Sequence, residues 1–206
     1  MTSTKVKQII LCLGNAAIHV SWLRVLWTSV FEPIGNEETC NVFIRPQTLT
    51  ALLVSGIELL NSLLGLTKSK PHQVLLFSSV RAGVEIFLAP KLPCNAPEHL
   101  WTVACWALDG FFRFGIFGAD AFLSLCGFES PSLLKTVRYT VGPLLFPLGA
   151  GGEMFMVIRA AKDGRPCLYL AAALWPVFFY PLMKQLLKQR KKHFIKLKEG
   201  EMKKNK

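Results

Sequence analysis

Six apolar runs, at about 8–31, 47–67, 73–89, 100–126, 133–158 and 166–187, occupy most of this 206-residue chain. Each is near the ~20 residues that cross ~30 Å of hydrocarbon at 1.5 Å per residue. Lipid offers no hydrogen bonds to an exposed peptide group, so segments of this kind must be helical. The pattern predicts an all-α, polytopic membrane protein: a six-helix transmembrane bundle over 1–190, followed by a basic tail at 191–206. A composition 51% hydrophobic and only 18% charged agrees. The first run is too long for a signal-peptide core and lacks a small-residue cleavage site, so it reads as a retained span.

The net charge of +11 does not indicate a nucleic-acid binder. Ten of the 24 Lys and Arg residues lie between Lys184 and Lys206, where they abut a membrane and face anionic lipid headgroups. Membrane lipid is therefore an expected partner and nucleic acid is not. With six spans both termini share one side, and the cytosol should hold the excess of Lys and Arg. Cytosolic termini place Lys5, Lys7, Lys68, Lys70, Lys135 and the tail on that side. Only Arg45, Lys91, Arg159, Lys162 and Arg165 fall on the other. The closing Lys203-Lys204-Asn205-Lys206 resembles a di-lysine retrieval signal, which implies the endoplasmic reticulum membrane.

Cysteine and histidine spacing suggests no metal. Cys12, Cys40, Cys94, Cys105, Cys126 and Cys167 contain no C-x-x-C pair, and His19, His72, His99 and His193 are scattered. Cys12, Cys105 and Cys126 read as small buried hydrophobes. Cys40 and Cys94 fall in loops on one side of the membrane, which allows a disulfide between them. No cofactor is expected.

Ionisable residues inside spans are costly and mark function or helix pairing. Arg81 and Glu85, and likewise Asp109 and Arg113, are spaced i, i+4, so each pair can close on one helix face. Glu58 and Arg138 add to the set. Glu153 differs, because no basic residue lies within a helical turn of it. Its run also holds Pro143, Pro147, Gly142, Gly149, Gly151 and Gly152, a composition that predicts a kinked, closely packed span. The Gly149–Gly152 stretch follows no strand and lacks the lysine and serine of a phosphate-binding loop.

These residues resemble the 3-hydroxyacyl-CoA dehydratase family of very-long-chain fatty acid elongation, also called protein tyrosine phosphatase-like proteins. Arg138-Tyr139, then Phe146-Pro147-Leu148-Gly149 and Glu153, follow the family pattern R-Y, then Y-P-x-G-x-x-x-E. Glu58-Leu59-Leu60-Asn61 and Leu64 to Ser69 are similar to its E-x-L-H and L-G-L-V-R-S. Leu11, Asn15 and Trp22 fit its first-span pattern, and Gln189-Arg190-Lys191-Lys192 its closing basic stretch.

The resemblance implies a membrane lyase that removes water from a (3R)-3-hydroxyacyl-CoA to give the trans-2-enoyl thioester. The family's catalytic pair is a tyrosine and a glutamate in the fifth span. Glu153 holds the glutamate position, whereas Phe146 holds the tyrosine position and carries no proton. Around Trp106, Gly110 and Phe114 replace an acid and a tyrosine; Ile10 and Gly14 replace tyrosines of the first span. Arg138, Tyr139, Arg113 and Gly149 are the expected supporting residues. Implied partners are a long-chain 3-hydroxyacyl-CoA and other elongation-cycle enzymes. The alternative is an inactive relative that binds acyl chains or elongation partners. A small transporter using intramembrane charge is a third reading, and a phosphatase is not supported, since no C-x-x-x-x-x-R loop is present.

Overall fold

The computed structural model describes residues 3–31, 37–67, 69–162 and 167–204 and is all-α. Six long helices follow in order: α1 (Ser3–Phe31), α2 (Glu37–Leu63), α3 (Pro71–Gly83), α4 (Pro97–Leu125), α5 (Ser132–Lys162) and α6 (Cys167–Lys204). After α3 the chain loosens into a π-turn at Val84–Leu88 and a 3₁₀ turn at Ala89–Lys91. Pro71 and Pro97 occupy the first turns of α3 and α4, where a missing N–H costs nothing. Gly65 and Gly127 follow α2 and α4 with φ of +66° and +82°, a conformation glycine adopts without strain.

Among the described residues, five segments are long and apolar enough to cross a membrane: Thr4–Phe31, Pro71–Lys91, Pro97–Leu125, Ser132–Lys162 and Leu168–Ile195. α2 completes the six-helix set. It carries Glu37, Glu38, Arg45 and Glu58, which lower its apolarity. α1 lies against α4 and α2, α4 against α5, and α5 against α6. The core between them contains Ile18, Trp22, Ile44, Val103, Trp106 and Met156. Leu53, Val30, Leu170 and Phe87 point outward, as lipid-facing side chains do.

Two glycines that depart from the family pattern have a packing reason. A Cβ on Gly110 would stand 2.4 Å from the Trp22 ring, and one on Gly14 would stand 2.9 Å from Ile57 Cγ2. The acid and tyrosine of the pattern are replaced where α1 packs most closely on its neighbours.

The helix-face pairing of charges is corrected. Arg81 reaches across to Asp109 at 2.9 Å, Glu85 meets His99 at 3.2 Å, and Arg113 bonds Glu58. Each of these charges finds its partner on another segment of the chain rather than four residues along its own helix. Glu98 and Arg159 form a two-pronged pair at 2.8 and 2.9 Å that joins the start of α4 to the end of α5. Cys40 and Cys94 are joined by a disulfide, with Cα atoms 5.6 Å apart. Cys126, expected among the buried hydrophobes, is exposed beyond the end of α4. α6 runs through residue 190 without a break. The lysine-rich terminal stretch ends outside the described residues, as do Lys68 and Arg165.

Candidate active site

α5 remains one helix through Pro143 and Pro147. The two residues of the family pair, positions 146 and 153, therefore stand two turns apart on one face, about 10 Å along the axis. Glu153 is only 7% exposed and points into the bundle toward α4. Its Oε1 accepts a hydrogen bond from Trp106 Nε1 at 2.7 Å. The glycines make this approach feasible. A Cβ on Gly149 would lie 3.6 Å from Trp106 Cδ1, an ordinary contact, whereas one on Gly152 would lie 2.4 Å from Thr102 Oγ1. Gly152 thus sets how closely α5 approaches α4, and Gly149 lines the Trp106 ring.

The Arg81 guanidinium lies 5.8 Å from the centre of the Trp106 ring and bonds Asp109, one turn further along α4. Glu153, Trp106, Arg81 and Asp109 form one polar layer drawn from α3, α4 and α5. No arginine bonds Glu153 directly among the described residues, so one carboxylate oxygen is held by an indole and the guanidinium acts at a distance. The arrangement gives an oriented carboxyl in an apolar setting, suited to taking and returning a proton.

Phe146 sits in an aromatic cluster. Its ring stacks on Phe179 of α6 at 4.9 Å and meets Phe77 of α3 edge-on at 5.4 Å. Phe77 lies one turn before Arg81 on α3, as Phe146 lies two turns before Glu153 on α5. The aromatic cluster and the polar layer therefore follow one another along the same interface.

The supporting residues divide. Gly149 belongs to the site. Arg113 bonds Glu58 and lies against Phe114 and Phe117, two helical turns from Trp106. Arg138 lies 4.2 Å from the centre of the Phe117 ring, and Tyr139 packs on His193 at 4.7 Å. These three form a second layer toward the start of α5, about 20 Å from Glu153 in the case of Arg138 and Tyr139. The unbroken helix does not fold Tyr139 back, and Tyr169 and Tyr180 are exposed. None of the three tyrosines hydrogen-bonds Glu153 among the described residues. The sequence motifs do not place Trp106 in the site, and spacing pairs Arg81 with Glu85 instead; an indole N–H inside an apolar span, which needs an acceptor, is the one signal that marks Trp106.

Two surface hollows lie elsewhere. One of about 410 Å³ is lined by Thr4, Lys5, Gln8 and Cys126, and one of about 220 Å³ by Leu49, Leu52, Ser78 and Ile86. Glu153 lines neither.

The family model described as protein tyrosine phosphatase-like protein, PTPLA, matches residues 52–196, well over half of the chain. The chain belongs to this family. Among curated relatives, the probable very-long-chain (3R)-3-hydroxyacyl-CoA dehydratase of Schizosaccharomyces pombe is 24% identical over 186 residues, covering 81% of this chain and 86% of that protein. Two rice proteins (Oryza sativa subsp. japonica), the very-long-chain (3R)-3-hydroxyacyl-CoA dehydratases PASTICCINO 2A and 2B, are 27% and 26% identical, each covering 75% of this chain and 70% of its own length. No solved structure matches. The matched region begins inside α2 and contains every member of the Glu153 layer and of the Phe146 cluster.

Proposed function

We propose that this PTPLA-family protein is a membrane lyase that dehydrates a long-chain (3R)-3-hydroxyacyl-CoA to the trans-2-enoyl-CoA in fatty acid elongation. The observation that carries this reading is the buried Glu153 carboxyl, at the family's glutamate position, oriented by Trp106 Nε1 at 2.7 Å. Elimination breaks the C2–H and C3–O bonds and forms the C2–C3 double bond. Glu153 takes the C2 proton, and the same carboxyl returns it to the departing hydroxyl, which leaves as water. One group performs both transfers because no hydroxylated ring reaches it among the described residues. Arg81, near but not bonded to Glu153, steadies the negative charge that develops on the substrate. Purified protein given a long-chain 3-hydroxyacyl-CoA should form the enoyl thioester; absence of turnover removes the reading.

The aromatic packing of Phe146 favours a second reading, an inactive relative that binds acyl chains or elongation partners. A Phe77–Phe146–Phe179 cluster offers an apolar surface and no proton.

The location we propose is the endoplasmic reticulum membrane, with both termini cytosolic and 191–206 acting as a basic tail against anionic lipid. The Cys40–Cys94 disulfide supports this orientation, because it joins the start of α2 to the α3–α4 connection, the side that faces an oxidising lumen.

A further inference from the structure

Where α5 begins, its cations stand opposite those of α6. On α5, Lys135, Arg138 and Tyr139 are three and four residues apart and so share a face; on α6, Arg190, His193 and Phe194 do the same. The two faces meet. The Tyr139 and His193 rings lie 4.7 Å apart, and Thr136 Oγ1 is 3.2 Å from His193 Nε2. The Arg138 guanidinium lies 4.2 Å from the centre of the Phe117 ring of α4, and that of Arg190 lies 5.7 Å from the Phe194 ring. Lys135 is exposed, and Arg138, Arg190 and His193 are half-buried, so water reaches this end of the bundle.

These cations have no acid. None of the ion pairs among the described residues includes Lys135, Arg138 or Arg190, and Asp120, one turn beyond Phe117 on α4, is bridged to none of them. Elsewhere the arginines of the bundle are matched: Arg81 has Asp109, Arg113 has Glu58 and Arg159 has Glu98. Like charges gathered at the margin of a bilayer repel, and an arginine set among aromatic rings in a span is costly without an anion. Two arginines suit phosphate, whose oxygens a planar guanidinium meets two at a time.

Lipid headgroups and coenzyme A both carry phosphate. The position of the cluster favours coenzyme A. Tyr139, beside Arg138, leads by steps of seven through Phe146 to Glu153 on one side of α5, about 20 Å along the axis, a gap that an extended pantetheine arm is long enough to bridge. Between the two ends, Phe117, Arg113, Asp109 and Trp106 follow one another down a single face of α4, a polar stripe suited to the amides of that arm. A lipid phosphate gains nothing from this alignment.

We propose that Arg138 and Arg190, with Lys135, bind the phosphate groups of coenzyme A at the margin assigned to the cytosol, and thereby set the thioester at the depth of Glu153. The identity of the ligand rests on the dehydratase reading, but the site uses none of the groups that move the proton.

The test measures equilibrium binding of free coenzyme A, which has no acyl chain and undergoes no dehydration, to full-length protein in phosphatidylcholine nanodiscs. The wild-type chain should bind it, more weakly as salt rises. Arg138→Gln and Arg190→Gln should each weaken binding by about 10-fold or more. Lys162→Gln, at the other end of α5, and Glu153→Gln should bind as the wild type does. Arg190→Gln alters a half-buried side chain with no ion pair among the described residues, and it decides the matter where Arg138→Gln fails to fold. Absence of coenzyme A binding by the wild-type chain overturns the proposal, as does undiminished binding by Arg190→Gln. Displacement by glycerophosphoserine, an anionic lipid headgroup without its chains, as effective as by coenzyme A itself assigns the cations to lipid and also overturns it. Coenzyme A binding without dehydration of any 3-hydroxyacyl-CoA upholds this site and removes only the lyase.

Discussion

Trp106 on α4 donates its indole N–H to the Glu153 carboxylate on α5 at 2.7 Å, joining two residues 47 positions apart in sequence across one helix interface. A hydrogen bond to a charged group contributes about 1.5–3 kcal/mol. Trp106→Phe should therefore lower kcat/KM by about 10–100-fold, at roughly 1.4 kcal/mol per decade. Trp106→Phe keeps most of the ring, so helical content should hold while turnover falls; the paired measurement is the dehydration rate and the circular dichroism of the variant.

The glycines of α5 should respond unequally to an added methyl. A Cβ on Gly152 meets Thr102 Oγ1 at 2.4 Å and the Thr102 backbone at 3.3 Å, whereas one on Gly151 meets nothing within 4 Å. Gly152→Ala should destabilise the detergent-solubilised protein by about 1–3 kcal/mol through overpacking. Gly151→Ala should be neutral or stabilise by up to about 1 kcal/mol, since alanine favours helix. Thermal unfolding of the two variants side by side decides this.

The cross-helix charge pairing predicts which double mutants couple. Arg81 and Asp109 are in contact and mostly buried, so a mutant cycle on them should show a coupling energy of about 1–3 kcal/mol. Arg81 with Glu85, the pair suggested by i, i+4 spacing, should show roughly less than 0.5 kcal/mol, because Glu85 faces His99 instead. Stronger coupling in the second cycle would contradict the packing described.

Orientation is open to thiol labelling in sealed microsomes whose cytosolic face is outward. Cys126 is exposed just beyond the C-terminal end of α4, on the side assigned to the cytosol. It should label without permeabilisation, whereas Cys40 and Cys94, disulfide-bonded and fully buried, should label only after permeabilisation, reduction and unfolding. Labelling of Cys126 by an impermeant reagent only after permeabilisation would reverse the topology.

The sequence disclosed the helices, the buried Glu153 and the family, and it did so for identifiable reasons. Lipid imposes helical backbone and a minimum length, so apolar runs map onto helices almost directly. Glu153 stood out because a carboxyl without a neighbouring cation is expensive in a span. What stayed hidden was pairing across helices. Arg81 has an acid four residues away and uses another 28 residues on, and Trp106 shows no local sign that its N–H serves Glu153. The prolines of α5 predict a kinked, closely packed span, and the helix continues through both of them. Gly14 and Gly110 stand where the family pattern has larger groups, and Ile57 and Trp22 fill the space those groups would need.

Phe146 separates the active reading from the inactive one. Its ring is stacked on Phe179 and edged by Phe77. Phe146→Tyr should raise turnover, by up to about 100-fold if the phenol resumes general-acid work. A chain that is inactive both as wild type and as Phe146→Tyr is the binding protein of the second reading.

The most direct test of the central claim is the rate of enoyl-CoA formation from a long-chain (3R)-3-hydroxyacyl-CoA by purified wild-type protein and its Glu153→Gln variant, both shown to be folded. Wild-type turnover that falls by at least about 100-fold in Glu153→Gln is the predicted result. Equal rates in the two proteins would show that this carboxyl does not move the proton.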